Sequence, residues 1–498
     1  TQAVAGNNSM KIYSASSTPP VYIPLSSGQY ESCTLTIIDA DGTNKSLKID
    51  DFVVTDPNSQ TGQILQELQS SLSDSSSSSR MSGRMGNGEI SLSPAQRGSG
   101  FSKDQVKILI LAGAKTVQTN NLLNSSDLTL AMPTIVEGTM NKLSEIGLSG
   151  SDAALDLGSK IVSSLVKSIN GRKAYLNTST SESGESPLQS LMTRMSKATL
   201  KNLRSAGFDV QSVSSASSTL VSSMIQNLDE AGLDASDIGT AVESISIGAV
   251  GSLGDVEGID TNTLQNSISE ITSKASESLN KLGLPASSLS SVVEKVTQGA
   301  AKGLGNIKGN NGDLTTMMEK VTEGAVKGLG KLRSSGTNTS DIQSMIEKAT
   351  LGAMKALEKY PNEMVALVEK ITSGATRGLS EFEINDISNL IEKITTGATE
   401  GIGQLKTNSS NVSDEKFGSM IEKSTTGAVG QLGSLNIDSS AIDGLVSKAR
   451  SGASTVLDKL AETNSSFDAE KLKKNIDSGA NTGMSSQGWS YVTKVSSN

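Results

Sequence analysis

Few residues in this chain could do chemistry, and each candidate fails on its spacing or its company. Gly299-Ala300-Ala301-Lys302-Gly303-Leu304-Gly305 has the outline of a phosphate-binding loop, in which backbone N–H groups and a lysine cradle an anion. The surrounding apolar spacing puts those glycines mid-helix, no strand precedes them, and the pattern recurs along the chain. Residues 324–331 miss the nucleotide-loop spacing by one residue, and Leu332 stands where Ser or Thr should be. Asp39-Ala40-Asp41-Gly42-Thr43-Asn44 offers oxygens for calcium, but its glycine is fourth rather than sixth and no Glu occupies the twelfth position. It reads as a hairpin turn. The adjacent acids Asp50 and Asp51 lack any His, Arg or aromatic company and make no acid/base site.

Two absences say more. Histidine does not occur, which removes the commonest general base and metal ligand. Cysteine occurs once, at Cys33, so no internal disulfide or zinc cluster can form. Cys33 reads as a small buried hydrophobe on a strand, the sharper alternative being an intermolecular disulfide or reactive thiol. With 43 basic and 52 acidic residues, no Lys/Arg-rich run and 3% aromatics, the chain lacks the footprint of a nucleic-acid binder. The sequence therefore points to a protein that is not an enzyme, with no cofactor, metal or small-molecule substrate.

The elements behind these motifs form a repeat. The stretches running from Glu294 to Leu304, from Glu319 to Leu329, from Glu369 to Leu379 and from Glu392 to Ile402 are copies of one pattern. Anchored on one small position, the units fall at Gly113, Gly138, Ser164, Ala198, Ser223, Gly248, Lys274, Gly299, Gly324, Gly352, Gly374, Gly397, Gly427, Gly452 and Gly479. Most steps are about 25 residues, and a longer one around residues 171–187 reads as an extended loop. Around Gly397 the apolar residues Ile387, Leu390, Ile391, Ile394, Ala398, Ile402 and Leu405 step by three and four, which makes one stripe on a helix. Asp313, Ser340 or Asp341, Asp386, Ser413 and Ser440 read as N-caps, and Gly207, Gly232, Gly283 and Gly336 as C-terminal stops.

A helix of about 19 residues is roughly 28 Å long, and the short links cannot return the chain to its start, so successive helices must run antiparallel. The expected fold is mainly α: residues 102–480 form an α-solenoid or superhelical array of about fifteen antiparallel single-helix repeats, with a structural period of two repeats. Small residues four apart, Gly299 with Gly303, Gly324 with Gly328, Gly374 with Gly378 and Gly397 with Gly401, let successive helices approach closely. The alternative for that groove is docking of another subunit or a membrane. Glu–Lys dipeptides recur at Glu294/Lys295, Glu319/Lys320, Glu347/Lys348, Glu369/Lys370, Glu392/Lys393 and Glu422/Lys423. Adjacent residues do not face each other on a helix, so these read as solvated flanks that bridge to the next helix.

Residues 1–62 read as a small β domain, with short β-branched runs at 21–24, 33–39, 45–49 and 52–55. Residues 63–101 read as a Ser/Gly-rich linker with a short helix over 63–72. In residues 481–498 Trp489, Tyr491 and Val495 suggest a strand that mates with the β domain of the same or a neighbouring chain.

The functional expectation is an exported structural protein that self-assembles into an extracellular fibre, sheath or surface layer. It would sit outside the cell or on a bacterial surface after signal-peptide removal, with itself and other surface components as partners. A monomeric surface scaffold or adhesin, holding a partner on the concave side of the array, is the alternative. A membrane-active protein with amphipathic helices is the third reading. No run is long enough to be a transmembrane segment. Asn-x-Ser/Thr triplets such as those at Asn44 and Asn338 are adequately explained by a chain rich in Asn and Ser.

Overall fold

A computed structural model describes residues 59–77 and 102–489, apart from residues 123–124, 177–184, 308–312, 410–411, 436 and 464–466, together with the backbone of six short strands before residue 55. The chain divides into two compact units, residues 1–180 with 205–207, and residues 181–204 with 208–498. It is mainly helical.

In the first unit the strands are β1 Ala3–Gly6, β2 Ser9–Tyr13, β3 Gly28–Tyr30, β4 Cys33–Ile38, β5 Asn44–Ile49 and β6 Phe52–Val54. One sheet has the order β1-β2-β4-β5, with β2 and β4 parallel, and β3 pairs with β6. Cys33 opens β4 in register with Ile49. The run at 21–24, the turn at 39–42 and Asp50 and Asp51 lie outside the described residues. Helix α1 (Gln60–Ser77) starts earlier and runs longer than its sequence pattern suggests. It buries Ile64, Leu65, Leu68 and Leu72, and its Glu67 holds the largely buried Arg172 at 2.6 Å. Beside it lie α2 (Lys103–Thr119), α3 (Leu128–Lys142), α4 (Asp152–Lys167) and the single turn α5 (Lys173–Leu176).

The second unit holds α6 (Pro187–Lys201), α7 (Val213–Gln226), α8 (Ala235–Ser252), α9 (Thr261–Ser278), α10 (Ala286–Leu304) and α11 (Leu314–Ser334). It continues with α12 (Thr339–Lys355), α13 (Met364–Gly378), α14 (Ile384–Asn408), α15 (Asp414–Gly430), α16 (Ile442–Thr463) and α17 (Ala469–Ser486). Every one of the fifteen repeat anchors lies inside one long helix.

The neighbours differ from the expected ones. Each helix packs chiefly against the helix two along the chain, so α6, α8, α10, α12, α14 and α16 form one stack and α7 to α17 by odd numbers another. Sequence identifies the apolar stripe of a helix but not the neighbour that covers it, which is why packing between successive helices looked sufficient. Helices within a stack run parallel, since Gly299 abuts Glu243 and Gly303 abuts Ile247, four residues on in both. Across the stacks the sense reverses at α16 and α17, where Lys473 pairs with Asp458 at 2.9 Å and Arg450 with Asp477 at 3.3 Å.

Several caps sit elsewhere than the pattern indicated. Asp313 and Ser413 cap α11 and α15. Asn338, rather than Ser340 or Asp341, caps α12, because its extended backbone lets its side chain accept from Asp341 N at 2.9 Å. Glu383 precedes α14 with no side-chain cap, and Asp386 falls in the first turn. Asp438 accepts from Ser440 N, so Ser440 is the donor in this cap rather than the capping residue. Gly207 and Gly336 end their helices at φ +87° and +107°, a region that L side chains enter only with strain.

Candidate functional site: a glycine–carbonyl ladder with glutamate–lysine rungs

The eight paired glycines all face the helix two back in their own stack. A Cβ at Gly299 would stand closer than 3.0 Å to the carbonyl oxygen of Glu243, nearer than real Cβ atoms come. The same holds for Gly324 against Ser269, Gly374 against Glu319 and Gly397 against Glu347. One turn on, Gly303 meets the carbonyl of Ile247, Gly328 that of Ser273, and Gly378 that of Glu323 and the Cβ of Val326, while Gly401 meets the side chain of Met354. Gly352, Gly427, Gly452 and Gly479 repeat the contact on Glu294, Glu369, Glu392 and Glu422. A glycine here puts its Cα hydrogen where Cβ would be, directed at a carbonyl, a weak contact worth about 0.5–1 kcal/mol.

That contact shuts water away from the carbonyl, whose first lone pair already takes the helical N–H and whose second is left to find a partner inside the protein. A threonine three residues further along supplies one. Thr297 Oγ1 donates to Glu294 O at 3.1 Å, Thr322 to Glu319 O at 3.1 Å, Thr372 to Glu369 O at 3.1 Å and Thr395 to Glu392 O at 3.0 Å. The recurring Glu-Lys-x-Thr-x-Gly spacing is thus one device. Its Glu–Thr half lies beneath the next helix of the stack, and its glycine lies upon the previous one.

The Glu–Lys dipeptides complete the rungs, and here the expectation of solvated flanks is corrected. The lysine four residues before each glycine reaches the glutamate whose carbonyl that glycine covers. Lys295 meets Glu243 at 2.7 Å, Lys370 meets Glu319 at 3.1 Å, Lys393 meets Glu347 at 2.7 Å, Lys423 meets Glu369 at 2.7 Å and Lys448 meets Glu392 at 2.7 Å. Lys348 stands 3.6 Å from Glu294. A second cation three residues after the glycine doubles three rungs: Lys302 on Glu243 at 2.6 Å, Lys355 on Glu294 at 2.5 Å and Arg377 on Glu319 at 2.5 Å. Glu243 and Glu319 keep at most 9% of their side chains exposed, because the neighbouring helix covers them while the lysine stems reach out to water. Burial alone would push the Glu243 carboxyl up, but hydrogen bonds from Lys295 and Lys302 outweigh it and hold the group below its ordinary range. Glu323 is lowered the same way, against burial, by Lys327 and Lys320 of its own helix. The helix beneath it, α9, is the exception in which Ser269 replaces the rung glutamate.

Both stacks use the same positions of the repeat, so every helix carries the same ladder while the packing recurs every two helices. The signal was present in the sequence as the separation of about fifty residues between each Lys and its Glu, but a dipeptide read alone conceals it.

Trp489 follows the end of α17. Its N–H bonds to Met484 O at 3.1 Å across Gly488, which has φ +73°, and its ring lies over Gly433. This is a helix stop of the Schellman type, with the last carbonyls satisfied by the residues just beyond. Residues 481–486, expected in the tail, belong to α17. Tyr491 and Val495 lie outside the described residues.

Among the described residues no group of three His, Cys, Asp or Glu is placed to hold a metal, and no helix is long and apolar enough to cross a membrane. Chemically, the ladder fixes register and spacing between helices. No protein-family model matches the chain, and no curated protein matches it as a relative.

Proposed function

We propose that this chain is a non-catalytic structural protein whose helical array serves as a stiff strut, an α-solenoid built on the ladder. One observation carries the reading: from α8 to α16 the acidic and basic side chains with repeated spacing are engaged with each other within each stack, and among the described residues no group of three His, Cys, Asp or Glu is placed to hold a metal. The exported, extracellular setting and assembly into a fibre, sheath or surface layer belong to the same proposal, with further copies of the chain as partners.

The far end of the array bears on how such assembly would run. In α15, Glu422, Thr426, Val429 and Gly430 face α17. Their counterparts in α17, Lys474, Ser478, Asn481 and Thr482, are polar and exposed, the outer face expected of a terminal repeat. Helix-on-helix stacking between chains therefore has no apolar surface to use there. Contacts between copies would run through segments outside the array. The same polar end favours a second reading, a monomeric scaffold that holds a partner along its side. Electron microscopy and light scattering of the native protein separate the two: polymers support assembly, and dispersed single chains at high concentration overturn it.

A further inference from the structure

We propose that the cavity between α15 and α17 recognises a primary alkylammonium group, the chemistry of a lysine side chain, with Glu422 as its counter-ion. Six interfaces of the array obey one rule: the lysine four residues before the ladder glycine reaches the glutamate beneath that glycine. At the seventh, Gly479 covers the Glu422 carbonyl as elsewhere, but the residue four before it is Asn475. The asparagine amide lies against Gly418, and the second cation position, three after the glycine, is Thr482. Among the described residues no cation pairs with Glu422, whose carboxylate accepts from Ser478 Oγ at 2.7 Å.

A cavity of about 350 Å³ lies where that lysine would run. Phe417 and Phe467, with ring centroids 5.2 Å apart, and Leu472 offer a wall for an alkyl stem, and aromatic faces attract a cation. Asp414, Glu415 and Asp468 share the lining with Glu422 against one cation, Lys471. Asp414 is paired with Lys406 at 2.7 Å, and Asp468 caps α17, so Glu422 and Glu415 are the carboxylates left for a guest. A rung broken on its acidic side behaves differently. Where Ser269 replaces the glutamate, Lys320 and Lys327 turn to Glu323 on their own helix at 2.9 and 2.8 Å. The chain heals the missing acid and leaves the missing base open to a cavity, and six equivalent rungs show that an ammonium group is what this glutamate position takes.

The test titrates the full-length protein with Nα-acetyl-lysine amide, with cadaverine and with the neutral Nε-acetylated lysine amide, followed by calorimetry. The two ammonium compounds are expected to bind and the neutral one not. Affinity for both should fall by roughly tenfold or more in Glu422→Gln. Asn475→Lys, which supplies the ammonium from within, should block binding and raise the thermal midpoint, and it keeps the test alive if Glu422→Gln folds poorly. Tighter binding of lysine amide assigns the site to a peptide lysine and tighter binding of cadaverine to a free polyamine, and either supports it. Equal uptake of the neutral compound, unaltered binding in Asn475→Lys, or no binding of either amine overturns it.

Discussion

Replacing Gly324 with alanine sets two known effects against each other. Alanine is favoured over glycine inside a helix by about 1 kcal/mol, so a glycine with free space around it should be stabilised by the change. Gly324 has no such space. A methyl group there would press on the carbonyl oxygen of Ser269, with that carbonyl carbon at 2.9 Å, and on Thr272 Oγ1. Backbone on a packed neighbour cannot swing aside as a flexible side chain can, so α11 and α9 must separate, and the contacts along both helices loosen together. Overpacking of this kind costs about 1–3 kcal/mol, and the upper half of that range applies where the obstacle is backbone. After the propensity gain, Gly324→Ala should destabilise by about 1–2 kcal/mol. Gly444 of α16 has nothing within 4 Å of its Cβ position and is the matched control, expected to gain up to about 1 kcal/mol as alanine. Urea unfolding followed by far-UV circular dichroism reads both, taking the first transition if the array melts in stages. Equal stabilisation of the two variants would refute the ladder.

Glu319→Gln removes a buried charge facing two cations and should cost about 2 kcal/mol, whereas Glu369→Gln, more exposed and singly paired, should cost less than about 1 kcal/mol in the same assay. Glu243 and Glu323 have lowered carboxyl values in the folded protein, so the stability they contribute is present above about 4.5 and is lost as pH falls through those lowered values. Lys302→Met should shrink that acid-side loss, and an unchanged pH profile would contradict the rung. Tyr360 donates to Ala301 O at 2.6 Å, and burial pushes its phenol up to about 12. The folded form thus holds its proton longer than the unfolded one, and stability falls as pH rises from 10 towards 12, a loss that Tyr360→Phe should remove at a cost of about 1 kcal/mol near neutral pH.

The helices were legible because the apolar period is clear in each unit, and around Ile387 to Leu405 of α14 it suffices without a side-chain cap or a glycine stop. What escaped the sequence was pairing at a distance. Glu319 looks like a surface charge beside Lys320, yet it is buried by α13 and answered by Lys370 and Arg377. Nothing within one repeat distinguishes those outcomes. Only the match between one unit and the unit two later does, because the same spacing then places lysine, threonine and glycine around a single glutamate. Lys274 shows the limit of the motif: it occupies a glycine position in α9 and turns its amine to Glu277 of the same helix at 2.9 Å. The parallel pairing of β2 with β4 was equally hidden, since strand runs carry no record of order in the sheet.

That both stacks use the same ladder positions has a consequence that unlike stacks would forbid. If the stacks differed, removing one helix would leave every later helix facing the wrong stack, and the array beyond would fail. With equivalent stacks, removing residues 364–383 takes out α13 and joins Glu363 to Ile384, so one glutamate replaces another ahead of α14. Helix α14 would then sit on α11, bringing Gly397 onto the Glu319 carbonyl and Lys393 to its carboxylate. Helix α15 would sit on α12, with Gly427 and Lys423 on Glu347. From α16 onward every contact is the original one, since Gly452 already rests on Glu392 of α14. Three interfaces are lost and two are regained with complete rungs, and repeat stability sums over nearest neighbours, so the shortened protein should fold with a lower midpoint. Its far-UV signal should drop by the share of the removed helix alone. An insoluble product, or loss of helical signal well beyond one helix, would show that the two stacks are not interchangeable.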